Sequence, residues 1–260
     1  MTYLTTSSLW ISGVIFVVLL PALAMLGPVL IRRRVELARL RTNNEVAGFK
    51  FAVVGVLYAV LLAFVVIVVW EKFSAAENTV ALEAGAVVTV YRLSDGLDED
   101  QAAAVKAATS SYLKQAVEGD WPAMAAGGED ETTNAALNAV YSPVLAFVPS
   151  DARGEVALSA VLDQLDVITQ ARRARLVVAR GIVPGIVWLV LFAGAFVTVG
   201  FTFFFGTENL KAQAVMTGAL AFLIFGGLLI IIAIDHPFAG TVSVDPQPLE
   251  EALADFGGQR

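Results

Sequence analysis

Few side chains in this sequence are able to do covalent, acid–base or metal chemistry. There is no cysteine and a single histidine, His236. Thiolate nucleophiles, disulfide frameworks, thiolate zinc sites and any relay needing two imidazoles are thereby excluded. His236 stands between Asp235 and Pro237. As a metal or proton site it has only Asp235 beside it. The commoner role of such a triplet is structural, with Pro237 stopping a helix and Asp235 bonding the backbone of the turn. The acidic runs Asp98-Glu99-Asp100 and Glu129-Asp130-Glu131 fall where helices begin, and negative charge suits the positive end of a helix. They read as capping or solubilising groups rather than catalytic pairs. A phosphate-cradling Gly loop followed by Lys, a Gly-x-Ser-x-Gly elbow and a His-Glu-x-x-His pair are all missing from the sequence. The sequence therefore predicts no catalytic residue, no metal site, no cofactor and no enzyme.

Of the 260 residues 57% are hydrophobic and 16% charged, against roughly 25% charged in soluble chains. With a net charge of −7, this excludes an ordinary soluble enzyme, a disordered tail and a nucleic-acid partner. A bilayer core of about 30 Å needs about 20 apolar residues in a helix. Four stretches reach that length: Leu9 to Ile31, Phe51 to Trp70, Gly181 to Gly206 and Ala212 to Ile234. Backbone amides must be paired within the segment in hydrocarbon, so these are helices. None of the four contains an acidic or basic residue, which argues against a carboxylate-relay transporter. Pro21 and Pro28 should bend the first span, and Pro184 falls in the first turn of the third.

The chain then divides into residues 1–70 (two spans and a basic loop, 32–50), an insert at 71–180, two more spans at 181–235 and an acidic tail at 236–260. Six basic residues (Arg32, Arg33, Arg34, Arg39, Arg41, Lys50) crowd the first loop, whereas Met1 to Ser8 carry none. The positive-inside rule places that loop in the cytoplasm of an inner-membrane protein. Both termini and residues 71–180 are then extracytoplasmic.

The insert keeps helical periodicity. Phe73, Ala76, Val80, Ala84, Val87 and Tyr91 recur at steps of three and four until Ser94-Asp95-Gly96, and Leu158, Leu162, Leu165 and Ile168 do so on the far side. Spans two and three should thus continue as long antiparallel helices, with shorter helices from near Asp98, ending before Gly119, and from about Glu131 to Tyr141, the latter stopped by Ser142-Pro143. Counting from the membrane edge sets Glu71 opposite Arg180, Glu77 opposite Arg173 and Arg175, and Glu83 nearest Arg172. Rings of charge around a vestibule are one reading. Partly exposed pairs that hold two helices in register are the commoner one.

On span two, Gly48, Ala52, Gly55, Ala59 and Ala63 share one face, the kind of face that admits close helix contact in lipid. Packing against another span is expected, and a subunit contact or pore face is the alternative. Leu249, Leu253 and Phe256 share a face of a short C-terminal helix that either lies in the headgroup layer or docks on the helical insert.

Two stretches carry a family likeness. One runs from Asn44-Glu45-Val46-Ala47-Gly48-Phe49 through Val54-Gly55-Val56-Leu57-Tyr58-Ala59 to Trp70, Glu83-Ala84 and Tyr91-Arg92. The other is Asp235-His236-Pro237-Phe238-Ala239-Gly240 with Val244 and Pro246. Together, from about Asn43 to Leu253, they resemble the bestrophin-like domain family of four-span membrane proteins. The resemblance implies a homo-oligomeric assembly in membrane lipid, related in plan to bestrophin anion channels. Here the acidic outer segment would repel anions, so its charge fits a cation-selective or non-conducting assembly. The expectation is an all-α membrane protein, its second and third spans extended into an extramembrane helical domain, acting as a passive channel for inorganic ions with its pore along span two. Asn44 and Glu45 would stand at the inner mouth, Gly55 and Tyr58 within the span, and Glu71 and Glu77 at the outer mouth. Asp235, Pro237, Phe238 and Gly240 form the motif turn. The rival expectation is a non-conducting scaffold or sensor whose outer domain binds a protein or lipid.

Overall fold

The computed structural model describes residues 9–42 and 44–258. The uncharged flank 1–8 used for orientation, Asn43 and the last two residues lie outside them. Among the described residues every regular element is helical. In chain order they are α1 (Trp10–Arg34), α2 (Leu37–Thr42), α3 (Asn44–Leu93), α4 (Glu99–Gln115), α5 (Trp121–Ala125), α6 (Glu131–Ala146), α7 (Ala152–Ala179), α8 (Gly185–Thr202), α9 (Leu210–Ile234) and α10 (Gln247–Gly258), with a π-helix at Ala116–Asp120 joining α4 to α5 where a stop before Gly119 was expected. The chain falls into two compact units. One is formed by the chain up to Glu71 with Val183–Asp235, the other by Lys72–Ile182 with the chain from His236 onward.

The first unit holds the apolar parts of α1, α3, α8 and α9, each long and apolar enough to cross a membrane. Small residues let these helices meet closely. A Cβ on Gly27 of α1 would lie 2.4 Å from the Phe203 ring, and one on Gly218 of α9 would lie 2.7 Å from Met25. Phe16 is buried beside Phe192 and Phe225. Within α1, residues Val14–Leu19 widen into a π-helix just before Pro21, whose missing N–H interrupts the ordinary ladder.

The third span starts later than the sequence suggested. α7 ends at Ala179, and α8 begins at Gly185 with Pro184 as its N-cap. Gly181 in between has φ +102°, a conformation that glycine adopts without steric cost. The freed Val183 N–H is satisfied by Asp235 Oδ1 at 2.7 Å. Asp235 does bond backbone, as expected, but that of the link before α8.

In the second unit the periodic stripe on α3 is the buried one: Phe73, Ala76, Val80, Ala84 and Val87 are all in the core, and Tyr91 at its end is half-buried. α3 runs for 50 residues without a break and gives way to a 3-10 turn at Ser94–Gly96. On α7 the core positions are Ala157, Val161, Leu165 and Ile168. Leu158 and Leu162, expected on that face, are only half-buried. α6 continues past Pro143 to Ala146, because a proline in the last turn removes only one ladder bond. Asp130 and Asp151 cap α6 and α7, accepting from Thr133 N and Gly154 N at 2.7 Å each. α10 docks in this unit: Leu249, Ala252 and Phe256 are buried, and Phe256 stacks on Tyr91 with 3.9 Å between ring centroids.

Candidate functional site

α3 is the least covered of the membrane helices. Of its most apolar window 11% is buried within the chain, against 50% for α9. The small-residue face is part of this uncovered surface. Ala52, Ala59 and Ala63 are exposed, Gly48 and Gly55 half-buried, and a Cβ added at Gly55 would meet nothing within 4 Å. The face expected to pack against another span is therefore left largely open. Ala52, Gly55 and Ala59 instead edge an apolar groove of about 400 Å³, closed on its other side by Thr198, Leu220 and Ile224. Thr198 is buried, and its hydroxyl has no hydrogen-bond partner among the described residues.

Tyr58 is turned toward α8. It is 6% exposed, its hydroxyl donates to the Leu191 carbonyl at 3.0 Å, and its ring fills the space over Gly194, where a Cβ would lie 2.5 Å away. Asn44 clasps the link between α8 and α9: Nδ2 donates to the Gly206 carbonyl at 2.8 Å, and Oδ1 accepts from Gly206 N at 3.0 Å. Arg32 adds a bond to the Thr207 carbonyl at 2.6 Å, and Arg41 pairs with Glu208 at 2.9 Å. Buried Gln213 donates to the Phe205 carbonyl at 2.6 Å. Glu45, Glu71 and Glu77 are exposed, and among the described residues none of them has an ion pair.

The charges of the second unit meet elsewhere than the count from the membrane edge set them. Arg175 pairs with Glu83, not Glu77: Nε reaches Oε2 at 2.7 Å and Nη2 reaches Oε1 at 3.1 Å. Arg175 Nη2 also donates to Asp120 Oδ2 at 2.9 Å. Arg172 bonds both oxygens of Asp120, at 2.8 and 3.1 Å, rather than Glu83. Tyr112 donates its hydroxyl to Glu83. Glu83, Asp120 and Arg175 are fully buried. The count took Trp70 and Gly181 to lie level at one membrane surface, and the Glu83–Arg175 pair does not keep that register. The pairing is set by burial, since a buried charge needs a partner of opposite sign. Burial, the largest single influence, opposes the Arg175 charge, but Glu83, Tyr112 and Asp120 together outweigh it and hold the guanidinium above its ordinary pKa. Burial, with the Glu83 charge added, pushes Tyr112 well up. Asp120 lies outside any apolar period, and Tyr112 shares the buried face of α4 with Val105 and Leu113, where nothing in the sequence marks a carboxylate partner.

The motif turn after α9 is structural in detail. Phe238 is buried and meets the Trp121 ring edge-on at 5.5 Å. The Pro237 carbonyl accepts from Val244 N at 2.7 Å, Trp121 Nε1 donates to the Val244 carbonyl at 3.3 Å, and Gly240 has φ +89°. Its Pro-Phe-x-Gly pattern thus encodes a turn, an aromatic plug and a left-handed residue.

These features have a counterpart among known proteins. A model of the bestrophin-like domain matches residues 18–249. The chain belongs to the bestrophin-like domain family. Among curated proteins, none matches it. Its fold is similar to that of a bacterial bestrophin homologue from Klebsiella pneumoniae, in a form carrying one substitution. That match has a TM-score of 0.71 at 15% identity, over 95% of this chain and 100% of that one. A second form of the same homologue aligns with a TM-score of 0.69 at 14% identity, covering 95% and 99%. The crystal structure of a further membrane protein gives 0.69 and 14%, over 94% and 99%. The chain is thus an all-α, multi-pass membrane protein of bestrophin-like fold.

Proposed function

We propose that this bestrophin-like chain assembles as a homo-oligomer in the inner membrane and conducts ions passively along a pore lined by α3. The observation that carries the reading is the open small-residue face of α3, on a helix whose apolar window is 11% buried. In lipid, small residues favour close contact between helices, and a charge-free, apolar lining is compatible with a pore gated by dewetting. Gly55 lies within the pore stretch, Glu45 at the inner mouth, and Glu71 and Glu77 at the outer one. Asn44 and Tyr58 keep their places at the inner mouth and within the span, and their bonds to Gly206 and Leu191 hold the helix at its inner end and midway. The basic residues around α2 face the cytoplasm, and the second unit and both termini face outward. The acidic outer mouth favours cations. No catalytic role is assigned.

Purified protein in planar bilayers should give current, with a reversal potential under a salt gradient on the cation side. Glu71→Gln with Glu77→Gln should move that potential toward zero. Absence of current at every voltage, from a particle sealed at its centre, overturns the reading in favour of a non-conducting scaffold.

A further inference from the structure

A cleft between α6 and α7 in the second unit serves none of the roles above. It encloses about 300 Å³, lined by Asn134, Leu137, Asn138 and Tyr141 of α6 and by Thr169, Arg172 and Arg173 of α7. The α6 set stands at i, i+3, i+4 and i+7 and the α7 set at i, i+3 and i+4, so each is one helical face. No carboxylate lines the cleft, although the chain carries 24 acids to 17 bases.

Its floor is rigid. Arg172 is 5% exposed. Besides the two bonds to Asp120, its Nη2 donates to the Asp130 carbonyl and its Nη1 to Asn134 Oδ1, both at 3.3 Å. A guanidinium has five N–H groups, so one on Nη1 is left over. Because Nη1 can only donate, the Asn134 oxygen must face it, and Nδ2 is the free end of that amide. Tyr141 and Thr169 satisfy each other at 2.8 Å, with Tyr141 also reaching the Leu165 carbonyl at 3.1 Å. At the rim, Arg173 is exposed. Among the described residues neither Arg173 nor the Asn138 amide has a hydrogen bond or ion pair.

The cleft therefore offers a surplus of N–H donors. Arg172 is neutralised by Asp120, so the net charge it presents is the single positive charge of Arg173. A planar guanidinium fork suits carboxylate and phosphate oxygens better than a spherical ion. We propose that this cleft binds a small oxyanion, a carboxylate or phosphate group held by Arg173 and the Asn134 and Asn138 amides above the fixed Arg172 guanidinium. The site does not depend on the channel reading.

Isothermal titration of the detergent-purified full chain, at constant ionic strength set with sodium chloride, tests it with sodium phosphate and sodium glutarate as separate probes. At least one should bind saturably, and which one does assigns the class. Arg173→Gln and Asn138→Leu should each weaken that binding by about tenfold or more. Both positions are exposed, so their unfolding temperatures without anion should match the native chain. Arg153→Gln, on the same helix but roughly 30 Å along its axis, should bind as the native chain does. No saturable heat from either probe up to about 10 mM, an Arg173→Gln chain that binds normally, or equal loss in Arg153→Gln overturns the proposal.

Discussion

Arg175 shows how much a single side chain can commit a fold to. It is a long cation with no exposed surface, bonded to Glu83, Asp120 and Met124 and lying 5.3 Å from the Trp121 ring centroid. Removing one member of such a set leaves an uncompensated buried charge, typically worth about 3–5 kcal/mol. Arg175→Met and Glu83→Gln should each destabilise the second unit by that order, read by denaturant unfolding followed through Trp121 fluorescence in a chain whose other three tryptophans are replaced by Phe. A loss of under about 1 kcal/mol would mean the pair is solvated. Asp130 gives a pH effect of defined sign. Hydrogen bonds from the Thr132 hydroxyl and the Thr133 N–H hold its carboxyl below the ordinary value. The unfolded chain then takes up the proton first on acidification. The cap's contribution is complete above the ordinary carboxylate pKa and disappears as pH falls through the lowered one. Asp130→Asn should flatten that acid limb of the stability–pH curve.

Close approach governs the membrane helices at the scale of elements. Gly206 sits against backbone: a Cβ there would lie 2.8 Å from Arg41 N and 2.9 Å from the Leu40 carbonyl carbon, atoms that cannot rotate away. Gly206→Ala should lower the unfolding temperature clearly, while Gly226→Ala, where nothing lies within 4 Å, should leave it nearly unchanged. Tyr58→Phe keeps the ring over Gly194 and deletes only the bond to Leu191, a change of about 1 kcal/mol. Equal effects at Gly206 and Gly226 would show that helix contact does not set stability here. The long helices themselves were legible in the sequence, because apolar length and the 3–4 period of α3 are local properties. The break at 180–184 was not. Gly181 is conformationally permissive and Pro184 is tolerated in the first turn of a helix, so neither marks a break, and the link is completed by Asp235, which is remote in sequence.

For the whole molecule, the uncovered face of α3 predicts assembly. Ala59→Trp places a bulky ring in the middle of that face and should shift the particle from oligomer to smaller species by native mass spectrometry in detergent. Leu145→Trp, exposed in the second unit, should not. A native particle that is already monomeric would remove the pore along with the interface.

The sequence by itself determined the number of apolar helices, the absence of charge within them, the unbroken α3 and the turn motif that marks the family. Each follows from composition or from spacing along one helix, where neighbours in sequence are neighbours in space. The tertiary structure alone decided which charges are buried together, that Asn44 and Tyr58 hold neighbouring backbone, that the small-residue face stays open, and that a donor-lined cleft forms between α6 and α7. Those arrangements join residues dozens of positions apart. Their pairing depends on how helices break and pack, and no period in one segment records it.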